Sequence, residues 1–248
     1  MITRHHIVLA LLCALIASSS LLFSSPVSVI IISAGTGIGS FLPDIHMSRP
    51  RRSLFLVPAW LIVQIPRQFC ISILCRIYAA LGYPVEDPAD KRLTHSLPGI
   101  LFIGLCAAMV LSPLVLLAPP AAAGGTVLFL CGLFLGMGLH LSEDLCTRKG
   151  IFPLFPFSPA KVAGSIRPCD TADPRITWYH LLHVLVLIFV LVMDTSSILP
   201  PFLLVPVSIA GVVLCAGTMI VSSDVTFRED PGMAGRVVPS LSQSPDRL

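Results

Sequence analysis

Apolar residues fall along this chain in long runs separated by short polar stretches. The runs are Ile7–Phe23, Val27–Leu42, Leu97–Leu117, Gly124–Leu141, Thr177–Met193 and Pro201–Val221. A bilayer-spanning helix needs about 20 mostly apolar residues. In hydrocarbon the backbone N–H and C=O groups have to be paired within the segment, so each run is predicted as a helix. Together they predict an all-α fold, a polytopic transmembrane helical bundle of about six spans. The first run follows Arg4 and ends at Ser18–Ser20, the outline of a signal peptide. Pro26 and the second run follow at once, however, which suits a tight helical hairpin better. That second helix carries Gly35, Gly37 and Gly39, so close packing against a neighbour is expected.

Three stretches depart from this pattern. Leu54–Ile65 is apolar but short, holds Pro58 and runs into Pro66, and Phe69–Gly82 carries Arg76. Runs of this length are expected to form a re-entrant or interfacial helical segment at 53–82 rather than two full spans. Segment 143–175 is the longest polar stretch, with FPLFPFSP in its middle, and is expected along the interface. From 223 to 248, Pro231, Pro239, Pro245 and scattered Ser and Asp read as a disordered cytoplasmic tail, leaving 1–222 as the transmembrane domain.

Composition narrows the class. Only 12% of the 248 residues are charged, 55% are hydrophobic, and the mean hydropathy is +0.90. A soluble domain is about 25% charged, so a water-soluble globule is excluded. A net charge of +3, with no Lys/Arg-rich block, gives no support for nucleic acid. Membrane lipids are the expected surroundings. The eight cysteines are scattered without a CxxC pair, mostly in apolar runs, and indicate neither a disulfide framework nor a thiolate zinc site. There is no GxxxxGK[ST], GxSxG or HExxH motif and no internal repeat.

Charge placement sets the topology. All 16 Lys and Arg residues lie at the N-terminus, in 49–92, in 148–175 or after 227, while the turns near 24–26, 118–123 and 195–200 contain none. With six spans these sets fall on opposite sides. The positive-inside rule then puts both termini of a multi-pass cell-membrane protein in the cytoplasm.

The candidate chemistry shares that side. All seven histidines fall at or just beyond the cytoplasmic helix ends, and Asp194 is the one carboxylate of 13 on the other side. LPDIH (42–46) closes the second helix with Asp44 and His46. DKRLTHS (90–96) opens the third with Asp90 and His95, and GMGLHLSED (136–144) closes the fourth with His140 and Asp144. His5 and His6 stand at the start of the first helix. His140 and Asp144 share a helix face one turn apart, and Gly132 and Gly136 continue that row. Imidazole with carboxylate suits zinc, manganese or iron, and a divalent metal can acidify water for attack on an ester. Taken alone the pair also suits an interfacial hydrogen bond and a helix cap.

These stretches together resemble the YdjM-like family of predicted membrane-bound, metal-dependent hydrolases. The family pattern is an N-terminal histidine, a PDID-type motif, HRGxTHS, and a G-x-x-SHxxxD-x-x-T-x-x-G segment ending near PF. Here Gly136–Phe157 keeps His140, Asp144, Thr147, Gly150, Pro156 and Phe157 in register, with Leu139 in place of serine. Thr94, His95 and Ser96 are intact, as are Pro43 and Asp44. The resemblance covers about residues 5–158. It departs where His46 replaces an aspartate and Asp90 a histidine, a paired exchange of metal-ligand types if the two are neighbours and otherwise drift at an inactive site.

The resemblance implies hydrolysis with a bound divalent metal at the cytoplasmic face, on a small-molecule or lipid-linked substrate such as a phosphoester. It implies His95, His140, Asp144 and Asp44 as ligands, with Asp44, His95 and Asp144 as catalytic groups. His46, Asp90 and His5 or His6 are added ligands or a general base; the metal set is His6, Asp44, His46, Asp90, His95, His140 and Asp144. Thr94, Ser96 and Thr147 are candidate supports for the ligands. Lys91 and Arg92 are candidates for holding an anionic substrate or for anchoring topology. His180 and His183, one turn apart beside Trp178 and Tyr179, suit an aromatic belt or an added contribution to the site. The competing class is a non-catalytic membrane protein, a scaffold or a metal or ion transporter. Transport places ionisable groups near mid-membrane, and the centres of the six predicted spans hold none.

Overall fold

The structure, a computed structural model, describes residues 3–46, 56–85, 87–88, 90–168 and 173–229. The side chains of residues 3, 45–46 and 56–67 lie outside that set. The α-helices of this region are α1 (Thr3–Ala17), α2 (Pro26–Phe41), α3 (Leu56–Ala80), α4 (Leu97–Leu117), α5 (Pro120–Leu145), α6 (Arg175–Thr195) and α7 (Pro201–Ser222). Proline falls in the first turn of α2, α4, α5 and α7. There its missing N–H costs nothing and its fixed φ is already helical. The chain is an all-α polytopic membrane protein.

Among the described residues, five helices are long and apolar enough to cross a membrane: α2 with its extension to Asp44, and α4 to α7. The sixth expected span, α1, has only 15 residues. Its end is set by Ser18, whose hydroxyl donates to the Ala14 carbonyl at 2.6 Å, and the chain then turns through a short 3-10 segment, Ser19–Leu21. Small hydroxylated residues compete with the backbone for its own hydrogen bonds and so end helices. α1 nevertheless belongs to the bundle: Leu9, Ala10, Cys13, Ala14 and Ile16 are all buried.

Within the stretch expected as a re-entrant or interfacial helical segment, residues 56–80 form one continuous helix. Pro58 lies in its first turn, where no intrahelical N–H bond is lost. Residues 53–55 lie outside the described set.

The closest helix contact is between α2 and α5. A Cβ added to Gly35 or Gly39 would collide with the α5 backbone at Phe129 and Leu133; one on Gly132 or Gly136 would collide with the α2 backbone at Ile32, Thr36 and Ser40. Each helix therefore presents two glycines four residues apart to the other's main chain, the arrangement that permits close approach in a membrane. On the outside, α4 and α6 expose Leu101, Leu105, Leu185, Ile188 and Phe189, as suits a surface facing lipid.

Two short strands were not expected. β1 (Ala160–Ala163) pairs antiparallel with β2 (Thr226–Glu229), Val162 opposite Phe227. The polar segment after α5 is thus a folded platform, and the stretch expected as tail from 223 begins with a strand; residues 230–248 lie outside the described set. Gly150 supports the platform at φ +61°, a left-handed conformation glycine adopts freely. Asp173 and Arg175 pin it to α6: the guanidinium bonds both carboxylate oxygens at 2.7 and 2.8 Å and donates to the Ser165 hydroxyl at 2.6 Å. That pairing draws the Asp173 carboxyl down to about 2.

The α2–α5 contact yields a stability prediction. Gly136→Val drives a side chain into main-chain atoms that cannot yield, and overpacking of this kind costs about 1–3 kcal/mol or more. Gly138 faces open space. Thermal unfolding in detergent is therefore expected to drop for Gly136→Val and to hold or rise for Gly138→Ala. Equal melting of the two variants would contradict the close packing.

Candidate metal centre

Four separate parts of the chain converge at one end of the bundle. The first turns of α1 bring His6, the 3-10 segment after α2 (42–46) brings Asp44, and the turn before α4 brings His95. The last turns of α5 bring His140, Glu143 and Asp144. All six are buried, with His140 and His6 at 0% and 1% exposure.

His140 is placed by the glycine contact. One turn beyond Gly136, its Nδ1 meets the Ser40 carbonyl of α2 at 2.7 Å. A carbonyl oxygen only accepts, so Nδ1 carries the proton and Nε2 keeps a lone pair. His95 is held the same way. Its Nδ1 lies 3.2 Å from the Lys91 carbonyl and 3.0 Å from the Thr94 hydroxyl, which itself donates to the Pro43 carbonyl at 3.0 Å. Thr94 thus ties the His95 ring to the residue preceding Asp44.

The two Nε2 atoms then face each other at 3.3 Å. Asp44 Oδ1 lies 3.3 Å from His95 Nε2 and 3.9 Å from His140 Nε2, and Asp144 Oδ2 lies 3.6 and 3.7 Å from the same atoms. A metal with bonds of about 2.0–2.2 Å sets tetrahedral donors about 3.3–3.6 Å apart. His6 stacks on His140, with ring centroids 4.1 Å apart, and turns Nε2 toward Asp144 Oδ1 at 3.4 Å. Two overlapping triads, His6–Asp44–His140 and His95–His140–Asp144, each keep a ligand atom from every member within 4.8 Å of the others. Lone-pair nitrogens and carboxylate oxygens at these separations are a donor set that fits a divalent metal. Beside it stands the half-exposed Lys91 ammonium, 3.5 Å from Asp44 Oδ1 and 3.9 Å from Asp144 Oδ2.

The structure therefore gathers His6, Asp44, His95, His140 and Asp144 from the seven expected ligands. Asp90 is not brought in. It caps the turn of 91–93, accepting the Arg92 N–H at 2.9 Å, and pairs with the Arg92 guanidinium at 2.5 Å. The His46 side chain lies outside the described residues, so its expected exchange with Asp90 does too. Arg92 is also spent, lying over the rings of Phe152 and Phe155. Ser96 caps α4 through the Gly99 N–H, and the Thr147 hydroxyl donates to the Asp144 carbonyl at 2.8 Å. His183 and His180 bond carbonyls of their own helix, His180 with its ring against His5, and neither belongs to the two triads. Sequence reasoning missed Glu143. Its signal was a carboxylate three residues after His140 in an apolar helix end, which would leave a charge buried unless it found a partner.

The class is now defined: a helical membrane protein with a buried histidine–aspartate cluster, suited to a metal ion, at one end of its bundle. The chain belongs to the YdjM inner membrane protein family, which it matches over residues 1–220. No curated protein and no solved structure matches it.

The geometry separates Asp90 from Asp144. Zinc titration of the purified protein is expected to be unchanged in Asp90→Asn and at least 100-fold weaker in Asp144→Asn. Equal losses in both would place Asp90 among the ligands.

Proposed function

We propose that this protein is an integral membrane, metal-dependent hydrolase whose site opens at the cytoplasmic face, acting on a phosphoester or lipid-linked substrate. The observation that carries the reading is the convergence of the His95 and His140 Nε2 lone pairs with the Asp44 and Asp144 carboxylates. A structural hydrogen-bond network alternates donors and acceptors, whereas this cluster sets acceptor against acceptor, which a dication favours.

When bound, the metal supplies Lewis acidity and lowers the pKa of a water molecule. The protein's own part is to hold the ligands rigid. Ser40 and Thr94 fix the two imidazoles, and supporting contacts of this kind are typical of metal sites. The carboxylate of Asp44 or Asp144 would accept the proton of the attacking water. Lys91 stands over both carboxylates and offers its ammonium to an anionic group on the substrate. The one-sided distribution of Lys and Arg supports placing this end of the bundle in the cytoplasm. There, membrane lipid headgroups and small-molecule phosphoesters are both within reach.

The test begins with elemental analysis of detergent-purified protein after reconstitution with zinc, manganese or iron. Near-stoichiometric metal is expected, lost in His95→Ala and in His140→Ala, with turnover of bis(p-nitrophenyl) phosphate or a phospholipid that depends on that metal. Lys91→Met is expected to keep the metal, tighten it if anything, and raise KM for anionic substrates. Metal without hydrolysis of any phosphoester would move the reading to a non-catalytic metal-binding scaffold.

A further inference from the structure

Glu143 is buried at 3% exposure in the last turns of α5, off the row that carries His140 and Asp144 into the cluster. Its Oε2 lies 2.6 Å from His6 Nδ1. At this orientation neither atom makes a well-aligned hydrogen bond among the described residues, so the pair is held by proximity and charge. A carboxylate in an apolar helix bundle is costly unless matched, so the two groups define each other's surroundings. Glu143 also lines a small cavity of about 10 Å³, shared with Cys13, Leu139, His183 and Met219.

The His6 ring has two nitrogens and two neighbours of like character. With Nδ1 against the Glu143 carboxylate, the proton belongs on Nδ1. Nε2 then faces Asp144 Oδ1 at 3.4 Å, while the ring stacks on His140. The same logic holds His95 and His140, except that their outer nitrogens rest on backbone carbonyls. Glu143 is the one charged group used in this way.

We propose that Glu143 is a positioning residue for the metal centre: it fixes the tautomer and ring orientation of His6 and thereby makes His6 a further nitrogen donor beside Asp144. The inference rests on the metal-centre reading, and the experiment separates the two. Zinc affinity is measured calorimetrically on the full chain in detergent for wild type, His6→Ala, Glu143→Leu, Glu143→Gln and the His6→Ala/Glu143→Leu double variant. Cobalt absorption spectra are recorded on each. Removing a carboxylate that supports a ligating histidine typically lowers metal affinity about 10–100-fold.

His6→Ala and Glu143→Leu are expected to lose affinity by similar factors in that range and to shift the cobalt bands in the same direction. The double variant is expected to lose no more than the worse single one, because both remove the same interaction. Glu143→Gln keeps an acceptor without the charge and is expected to lose affinity several-fold. This variant decides the matter if the leucine variant does not fold. Wild-type affinity and spectrum in Glu143→Gln or Glu143→Leu would overturn the proposal, as would additive losses in the double variant or no loss in His6→Ala. Absence of zinc binding by wild type would instead overturn the metal-centre reading itself.

Discussion

The contact on which the rest of this structure depends is the main-chain approach of α2 and α5. Gly35 and Gly39 on one helix and Gly132 and Gly136 on the other leave no side chain between the two backbones. In lipid there is no hydrophobic drive to bring helices together, and close packing of small residues takes its place. The consequence is chemical as well as structural. His140 follows Gly136 by one turn and therefore lies within hydrogen-bond distance of the Ser40 carbonyl, while Asp44 follows Ser40 by the same interval and arrives opposite it. Without so short an interhelical distance, neither the tautomer of His140 nor its separation from Asp44 would be set.

From that crossing outward, the cluster is assembled by residues that each restrain another. Thr94 links the His95 ring to Pro43, the residue preceding Asp44. Ser96 starts α4 immediately after His95, so the histidine sits where the chain stops being a turn and becomes a helix. The Thr147 hydroxyl closes the end of α5 behind Asp144, and the strand pair β1–β2 with the Asp173–Arg175 clamp covers the segment that follows. Side chains held in this way would lose little freedom on binding a cation, and burial strengthens every interaction made there.

Much of this was legible in the sequence because it follows from local patterns. Long apolar runs gave the helices, and the i, i+4 row of Gly132, Gly136, His140 and Asp144 gave both the packing face and two of the candidate ligands. What escaped notice depended on contacts, local or tertiary, that the pattern of residues does not announce. Asp90 has a ligand's chemistry, but the backbone turn at 91–93 and Arg92 claim its carboxylate first. α1 is shorter than its apolar run, because Ser18 returns its hydroxyl to the helix and ends it. The strands of β1 and β2 are separated by two helices in sequence, and neither has an alternating pattern long enough to declare itself. Glu143 was passed over since its role requires His6, more than a hundred residues away, to face it.

The central claim is that imidazole and carboxylate groups from four parts of the chain hold one metal-binding volume. X-ray absorption at the metal edge of zinc-loaded protein tests it most directly. The account predicts a first shell of nitrogen and oxygen alone at about 2.0–2.2 Å, with the outer scattering of at least two imidazole rings that disappears in part in His140→Ala. A sulfur shell at about 2.3 Å, or a spectrum without imidazole scattering, would place the metal elsewhere and contradict the account.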